Sequence, residues 1–333
     1  MPSRIPPIPE PDPEQYRAAR ELASQASEPA VAGNVLFGTV GWTDPTLLKA
    51  GTFYPKGAKT ARDRLGFYAR HFSLVEVAAT YYSLLPRENA EQWVEATPPN
   101  FVFDVKAHPV LTTHPIEVAR LPADLKAACV RAGFEARVYP AKLPAELRSE
   151  IEARFRALLE PLVAAGRLGA VVLQFPAWFV RSRENIAELE RLAASFHDVP
   201  LAVEFRHATW LTENSRQHTL DLLRRSAMSY VCVDEPAVAG AVPAVLAVTN
   251  PKLAIVRFHG RNAHTWLKRG ASVHERFDYL YSKAELTPWI ASLEQLAAEA
   301  ESVHGSFNNC VRDYAVLNAK ELSVLLEEHR APD

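Results

Sequence analysis

A chain of 333 residues, 48% hydrophobic and 23% charged, carries enough apolar material for one large α/β core, which excludes general disorder. The formal net charge of −2 gives no bulk attraction to nucleic acid or anionic membranes, so any anion must be held by a local cluster. Cys129, Cys232 and Cys310 are far apart and odd in number, which argues against a zinc knuckle or a disulfide framework and fits a reducing cytoplasm. The N-terminus lacks an apolar signal region, and runs such as "GAVVLQFPAWFV" fall short of the roughly 20 residues that span a bilayer, so no membrane association is expected.

Residues 1–32 read as a proline-rich extension with a short helix in it, ahead of a domain over 33–330. Eight β-rich runs follow in order: 35–40, 74–78, 101–106, 170–175, 201–205, 230–234, 253–259 and 302–308. Helical periods fall at about 60–71, 87–96, 145–166, 184–196, 213–226, 288–300 and 311–328. Thr287 and Pro288 read as cap and first helical position before a stripe of Ile290, Leu293 and Leu296. Alternating strands and helices predict a (β/α)8 barrel, with an irregular crossover after the sixth strand, where "EPAVAGAVPAVLAVTNP" reads as loop. Two connections are long, 107 to about 145 and 260 to about 287. The first contains "PADLKAACVRAG", which suits an extra helix, and the second is rich in aromatic and charged groups that suit ligand contact.

Side chains alternate across a strand, so parity sorts these runs into two faces. One face carries Val75, Val77, Phe101, Phe103, Val105, Val171, Leu173, Phe175, Val203, Phe205, Val231, Val233, Val256 and Phe258, and suits helix packing. The opposite face carries Glu76, Asp104, Lys106, Gln174, Glu204, Arg206, Cys232, Asp234, Arg257, His259, His304, Ser306 and Asn308. An unpaired buried charge costs several kcal/mol, so such a set must pair internally, reach water at a rim or hold a ligand. In barrels of this kind the C-terminal rim carries the catalytic groups, and Gly260 gives the chain a sharp turn just after Arg257 and His259.

The motifs "GTVGW" (38–42), "FYP" (53–55), "VEVAATYYSLLP" (75–86), "FVFDVKAHPVLTTH" (101–114), "VEFRHATW" (203–210), "VDEP" (233–236), "VRFHGRNAHTW" (256–266) and "FNNCVRDYAVLNAKEL" (307–322) occur in an order that resembles the YecE-like family, a domain of unknown function. The resemblance runs from about Leu36 to Leu325. It implies a TIM-like barrel and supplies no reaction. Ala78 departs from the asparagine or aspartate that relatives often carry two residues after the glutamate of the second strand.

Glu76, Glu204, Asp234 and His259 are the candidate catalytic residues and the candidate ligands for Mg²⁺, Mn²⁺ or Zn²⁺. Lys106, Gln174, Arg206, Arg257, Arg261, Asn262, Trp266 and Asn308 are the candidate substrate-binding residues, with Asn309 beside them in the loop after the eighth strand. The expected ligand is small and anionic or sugar-containing, and nucleic acid is compatible but not indicated by charge. This set favours hydrolysis of a phosphate-bearing substrate, metal-assisted or not. The alternatives are a carbohydrate-active enzyme using Glu204 and Asp234 as a carboxylate pair, and a binding protein without catalysis. Trp42, Tyr54, Tyr81, Tyr82, Trp178, Trp210 and Trp266 lie in connections where they are available to stack on a sugar or a base.

Overall fold

The computed structural model describes residues 10–268 and 270–331, and the first nine residues of the proline-rich extension lie outside the described residues. Eleven strands occur: β1 (Val31–Ala32), β2 (Val35–Val40), β3 (Leu74–Val77), β4 (Val102–Lys106), β5 (Ile116–Glu117), β6 (Arg137–Val138), β7 (Leu168–Gln174), β8 (Leu201–Glu204), β9 (Ser229–Asp234), β10 (Leu253–Phe258) and β11 (Ser302–Phe307). The main sheet runs β1-β2-β11-β10-β9-β8-β7-β4-β3, and β2 also pairs with β3. Eight strands therefore close on themselves, and the fold is a (β/α)8 barrel with β1 as an antiparallel addition. All eight predicted strands and all seven predicted helices are present, and 235–252 contains no helix, as its proline and alanine content predicts.

Helix ends follow local chemistry. Asp12 caps the helix Pro13–Ala23 by accepting from the Glu14 and Gln15 amides, and Thr60 with Asp63 forms a capping box for Ala61–His71. One predicted cap is corrected. Thr287 ends the short helix Lys283–Leu286, its hydroxyl donating to the Lys283 carbonyl, and the next helix, Trp289–Glu299, is preceded by Pro288. Leu293 and Leu296 are buried as the apolar stripe predicts.

The described residues group into two compact units, 1–75 with 231–333, and 76–230. In the first, the helix Tyr314–Arg330 packs on β2 and β11 and also against the helix Pro13–Ala23. Tyr16 donates to both oxygens of Asp313, at 3.0 and 2.9 Å, and the Gln15 amide donates to the Leu280 carbonyl, so the helix of the extension is anchored at several points. In the second, the helices Arg87–Ala96 and Ala145–Ala164 pack together, and Trp93 stacks on Phe103 of β4 with ring centroids 6.1 Å apart. The long connection after β4 contains the expected helix, Ala123–Arg131, and a small antiparallel ribbon of β5 and β6. The connection 260–287 is three short helices, Ala263–Trp266, Val273–Phe277 and Lys283–Leu286.

Candidate active site

Within the 76–230 unit, register sorts the strand faces directly. Lys106 lies opposite Val172 on β7, and Gln174 lies opposite Glu204 on β8, so these three polar side chains share a face with Asp104. Phe103 faces the helix layer through Trp93, which puts the polar set on the other side. Lys106 donates to Gln174 Oε1 at 3.1 Å, and its ammonium lies 4.7 Å from the Tyr81 ring centroid. Glu204 is fully buried, and its Oε1 sits 2.5 Å from Arg206 Nε just past the strand end. Glu76 is buried at the start of the unit, and Ala78 precedes the short helix Ala79–Tyr82, whose Thr80 hydroxyl bonds the Lys106 carbonyl at 2.5 Å.

Two histidines missing from the sequence-derived set belong beside these groups. His114 accepts from or donates to Thr112 through Nδ1 at 2.9 Å and meets Tyr81 and Trp178 edge-on at 5.2 and 5.7 Å. Burial pushes its pKa down to about 4, and the positive charges of Lys106 and Arg206 push in the same direction. His108 accepts the Val110 amide at Nδ1, which fixes its proton on Nε2, and burial takes its pKa down to about 3. Both are neutral imidazoles at neutral pH. Their signal in the sequence is the "HPVLTTH" that follows Lys106, where two histidines bracket a turn with Thr113 at φ +61°.

In the unit of 1–75 and 231–333, Arg257 lies opposite Val233 and Ser306, while Phe258 lies opposite Asp234 and Phe307. Phe258 packs against Trp289 of the helix layer at 5.0 Å, so Arg257 and Ser306 are on the other side. His304 and Ile255 share that side, and both polar side chains Arg257 and Ser306 are buried. His259 follows, its Nδ1 2.9 Å from Asn308 Nδ2, with Trp266 and Phe277 each 5.9 Å from its ring. His259 and Asn308 are therefore joined directly, with Trp266 as aromatic neighbour, just past the strand end that carries Arg257.

Asp234 is a correction. Parity counted along β9 places it with Arg257, but the register places it with Phe258, together with Cys232, so Val231 and Val233 take the Arg257 side instead. Its carboxylate, 5% exposed, receives Arg261 Nε at 2.9 Å and Nη2 at 2.6 Å, the Tyr281 hydroxyl at 2.8 Å and Trp289 Nε1 at 2.8 Å. Four donors fill a carboxylate's acceptor sites. Arg261 is thereby committed to Asp234, Asn262 donates to the Glu275 and Asp278 carbonyls, and Asn309 donates to the Tyr279 carbonyl and to Asn318. These three side chains stitch the 260–287 connection in place.

Among the described residues no three His, Cys, Asp or Glu side chains gather as a metal-ligand set. With Asp234 saturated by donors, the proposed ligand set of Glu76, Glu204, Asp234 and His259 does not fit a divalent ion. The aromatics divide as well. Trp210 is core, stacked on Phe179 and Phe205, and Trp42 donates to the Ala61 carbonyl and Tyr54 to the Trp42 carbonyl, whereas Tyr82 and Trp178 are exposed.

A parallel barrel with polar side chains at its strand ends defines the class: a TIM-barrel protein. The chain belongs to the family described as "Protein of unknown function DUF72", whose model matches residues 36–333. It is 31% identical over 298 residues to the UPF0759 protein YunF of Bacillus subtilis, covering 88% of this chain and 95% of that one. Solved DUF72 family structures from Enterococcus faecalis and Thermotoga maritima superpose with TM-scores of 0.71 and 0.69 at 27% and 30% identity. They cover 90% and 88% of this chain and 97% and 99% of their own. Among the described residues no helix is long and apolar enough to cross a membrane.

Proposed function

We propose that the protein is a hydrolase for a phosphate-bearing small molecule, with its reacting groups at the strand ends of the 76–230 unit. The observation that carries this reading is the buried Glu204 carboxylate in contact with the Arg206 guanidinium, on the strand face that also carries Lys106 and Gln174. Lys106 and Arg206 are suited to a phosphate, the first as a point charge and the second as a planar fork. A phosphate that engages Arg206 competes with Glu204 for it and leaves the carboxylate as an acceptor. Glu204 then takes a proton from water, the water oxygen bonds to phosphorus, the ester P–O bond breaks, and the leaving alkoxide takes a proton from solvent. The metal-assisted form of this chemistry is not carried forward, because the donor set does not fit an ion.

The test is phosphate release from p-nitrophenyl phosphate and a panel of sugar and nucleoside monophosphates, with wild type and Glu204→Gln compared in the presence of a chelator. General-base catalysis is worth roughly 10²–10⁴-fold, so Glu204→Gln should lose at least about a hundredfold in kcat with phosphate binding retained. Equal turnover by the two proteins would overturn the reading.

A further inference from the structure

Beside the Lys106 cluster, a cavity of about 340 Å³ opens between Tyr81, Tyr82, His108, His114, Arg120 and Trp178. Its volume is near the lower end of the range for small-molecule sites, about 300 Å³, which suits one planar ring with its sugar and not an oligosaccharide. Two of the lining aromatics are exposed, Tyr82 at 45% and Trp178 at 56%. Large exposed aromatics bordering a cavity are poor core material and good stacking surface.

The orientations are set from behind. His114 meets Trp178 at 70° and Tyr81 at 87°, so the three rings brace one another, and Trp178 still leaves more than half of its surface open. Tyr81 and Tyr82 are themselves perpendicular, at 88°. The Arg120 guanidinium lies 5.5 Å from the Tyr82 ring centroid, while Arg137, which also borders the cavity, is paired with Glu117, so the lining carries one cation in excess. His108, its Nδ1 occupied by the Val110 amide, presents an Nε2–H donor. The lining thus combines a stacking face, a neutral donor and an excess of positive charge. Tyr81 joins this cavity to the phosphate-binding cation, since Lys106 sits over its ring.

We infer that this cavity seats the base of a mononucleotide whose phosphate is held by Lys106 and Arg206. The assignment rests on the phosphate reading above and adds the ligand class. A neutral sugar would stack on the same rings but would bring no anion to Lys106 and Arg206. Stacking on an aromatic side chain is sequence-tolerant, so purine and pyrimidine nucleotides are both accommodated.

The experiment is equilibrium titration of the full chain with AMP, UMP, ribose 5-phosphate and adenosine, repeated on Trp178→Ala and Tyr82→Ala. Because both side chains are exposed, these variants retain the fold. In wild type the nucleotides should bind at least about tenfold more tightly than ribose 5-phosphate. Trp178→Ala should remove that advantage and leave ribose 5-phosphate unchanged. Equal affinity for AMP and ribose 5-phosphate in wild type, or a nucleotide advantage that survives both substitutions, would overturn the ring site while sparing the phosphate reading. Adenosine binding that depends on Trp178, without ribose 5-phosphate binding, would overturn the phosphate reading and the nucleotide assignment together, leaving a nucleoside site. No binding of any of the four would overturn both.

Discussion

Asp234 stands opposite Phe258 in the register of β9 against β10, and the consequence is that its carboxylate meets Trp289, Tyr281 and Arg261. The residue fastens the connection 260–287 to the barrel strands. Asp234→Ala would strand a cation and two ring donors at once. Breaking a buried ion pair costs about 3–5 kcal/mol, and Arg261 is one-third exposed, so a loss of roughly 2–3 kcal/mol is expected after allowance for solvent screening. Urea unfolding should show a lower midpoint with an unchanged slope, and a variant as stable as wild type would refute the anchoring role.

Gly260 stands where the chain turns away from the barrel just after β10 and His259. Its φ of +85° and the 2.7 Å that would separate any added Cβ from the Tyr279 Cβ both oppose a side chain. Its amide donates to the Tyr281 hydroxyl at 2.9 Å. Gly260→Ala should destabilise by more than about 2 kcal/mol, the sum of left-handed strain and displacement of Tyr279, read as a drop in thermal midpoint.

Glu321 is a buried carboxyl whose pKa burial raises to about 7, although it accepts the Asn318 amide at 2.6 Å. The unfolded chain ionises near 4.3, so between about pH 4.5 and 7 the folded state holds the extra proton. Stability contributed by this group is therefore complete below about pH 4 and falls as pH rises to 7. The total is on the order of 3 kcal/mol. Glu321→Gln should flatten that slope and be the more stable protein at pH 8. Parallel pH profiles of wild type and variant would disprove the shift.

His108 and His114 have the opposite sign. Their folded pKa values, about 3 and about 4, lie below the unfolded value near 6.5, so the unfolded state binds more protons between those limits. Stability from these two groups is complete above about pH 6.5 and is lost as pH falls toward 4 for His114 and toward 3 for His108. Proton-coupled NMR titration should find both imidazoles neutral at pH 6. A midpoint above 6 for either would contradict the burial of both rings and, for His114, the neighbouring Lys106 and Arg206 charges.

Lys106→Met keeps the aliphatic stem over Tyr81 and removes the charge. Ribose 5-phosphate affinity should fall about tenfold, equivalent to about 1.4 kcal/mol, with far-UV circular dichroism unchanged. Retained affinity would place the phosphate elsewhere.

The strand faces of β4, β7, β8, β10 and β11 were legible because a polar residue near each strand end, Lys106, Gln174, Glu204, Arg257 and Ser306, marks one side, with Phe103, Leu173, Val203, Phe258 and Phe307 on the other. On β9 alternation misled, since Tyr230, Val231, Cys232 and Val233 are all apolar enough to suit either side, and only pairing with β10 decides between them. His114 was missed for a related reason. A histidine in a loop has no parity, and its place beside Trp178 arises from a turn, not from a period.

Composition, turn residues and hydrophobic alternation determined the (β/α)8 architecture, because local propensity and a two-residue period act along the chain itself. What only the folded structure decided is which polar groups are consumed by one another. Asp234 took its four donors from residues 27 to 55 positions away, and the cavity at Trp178 joins segments separated by comparable lengths. Contacts of that range depend on register and loop path in three dimensions, and those are energies shared between distant residues that no short stretch of sequence contains.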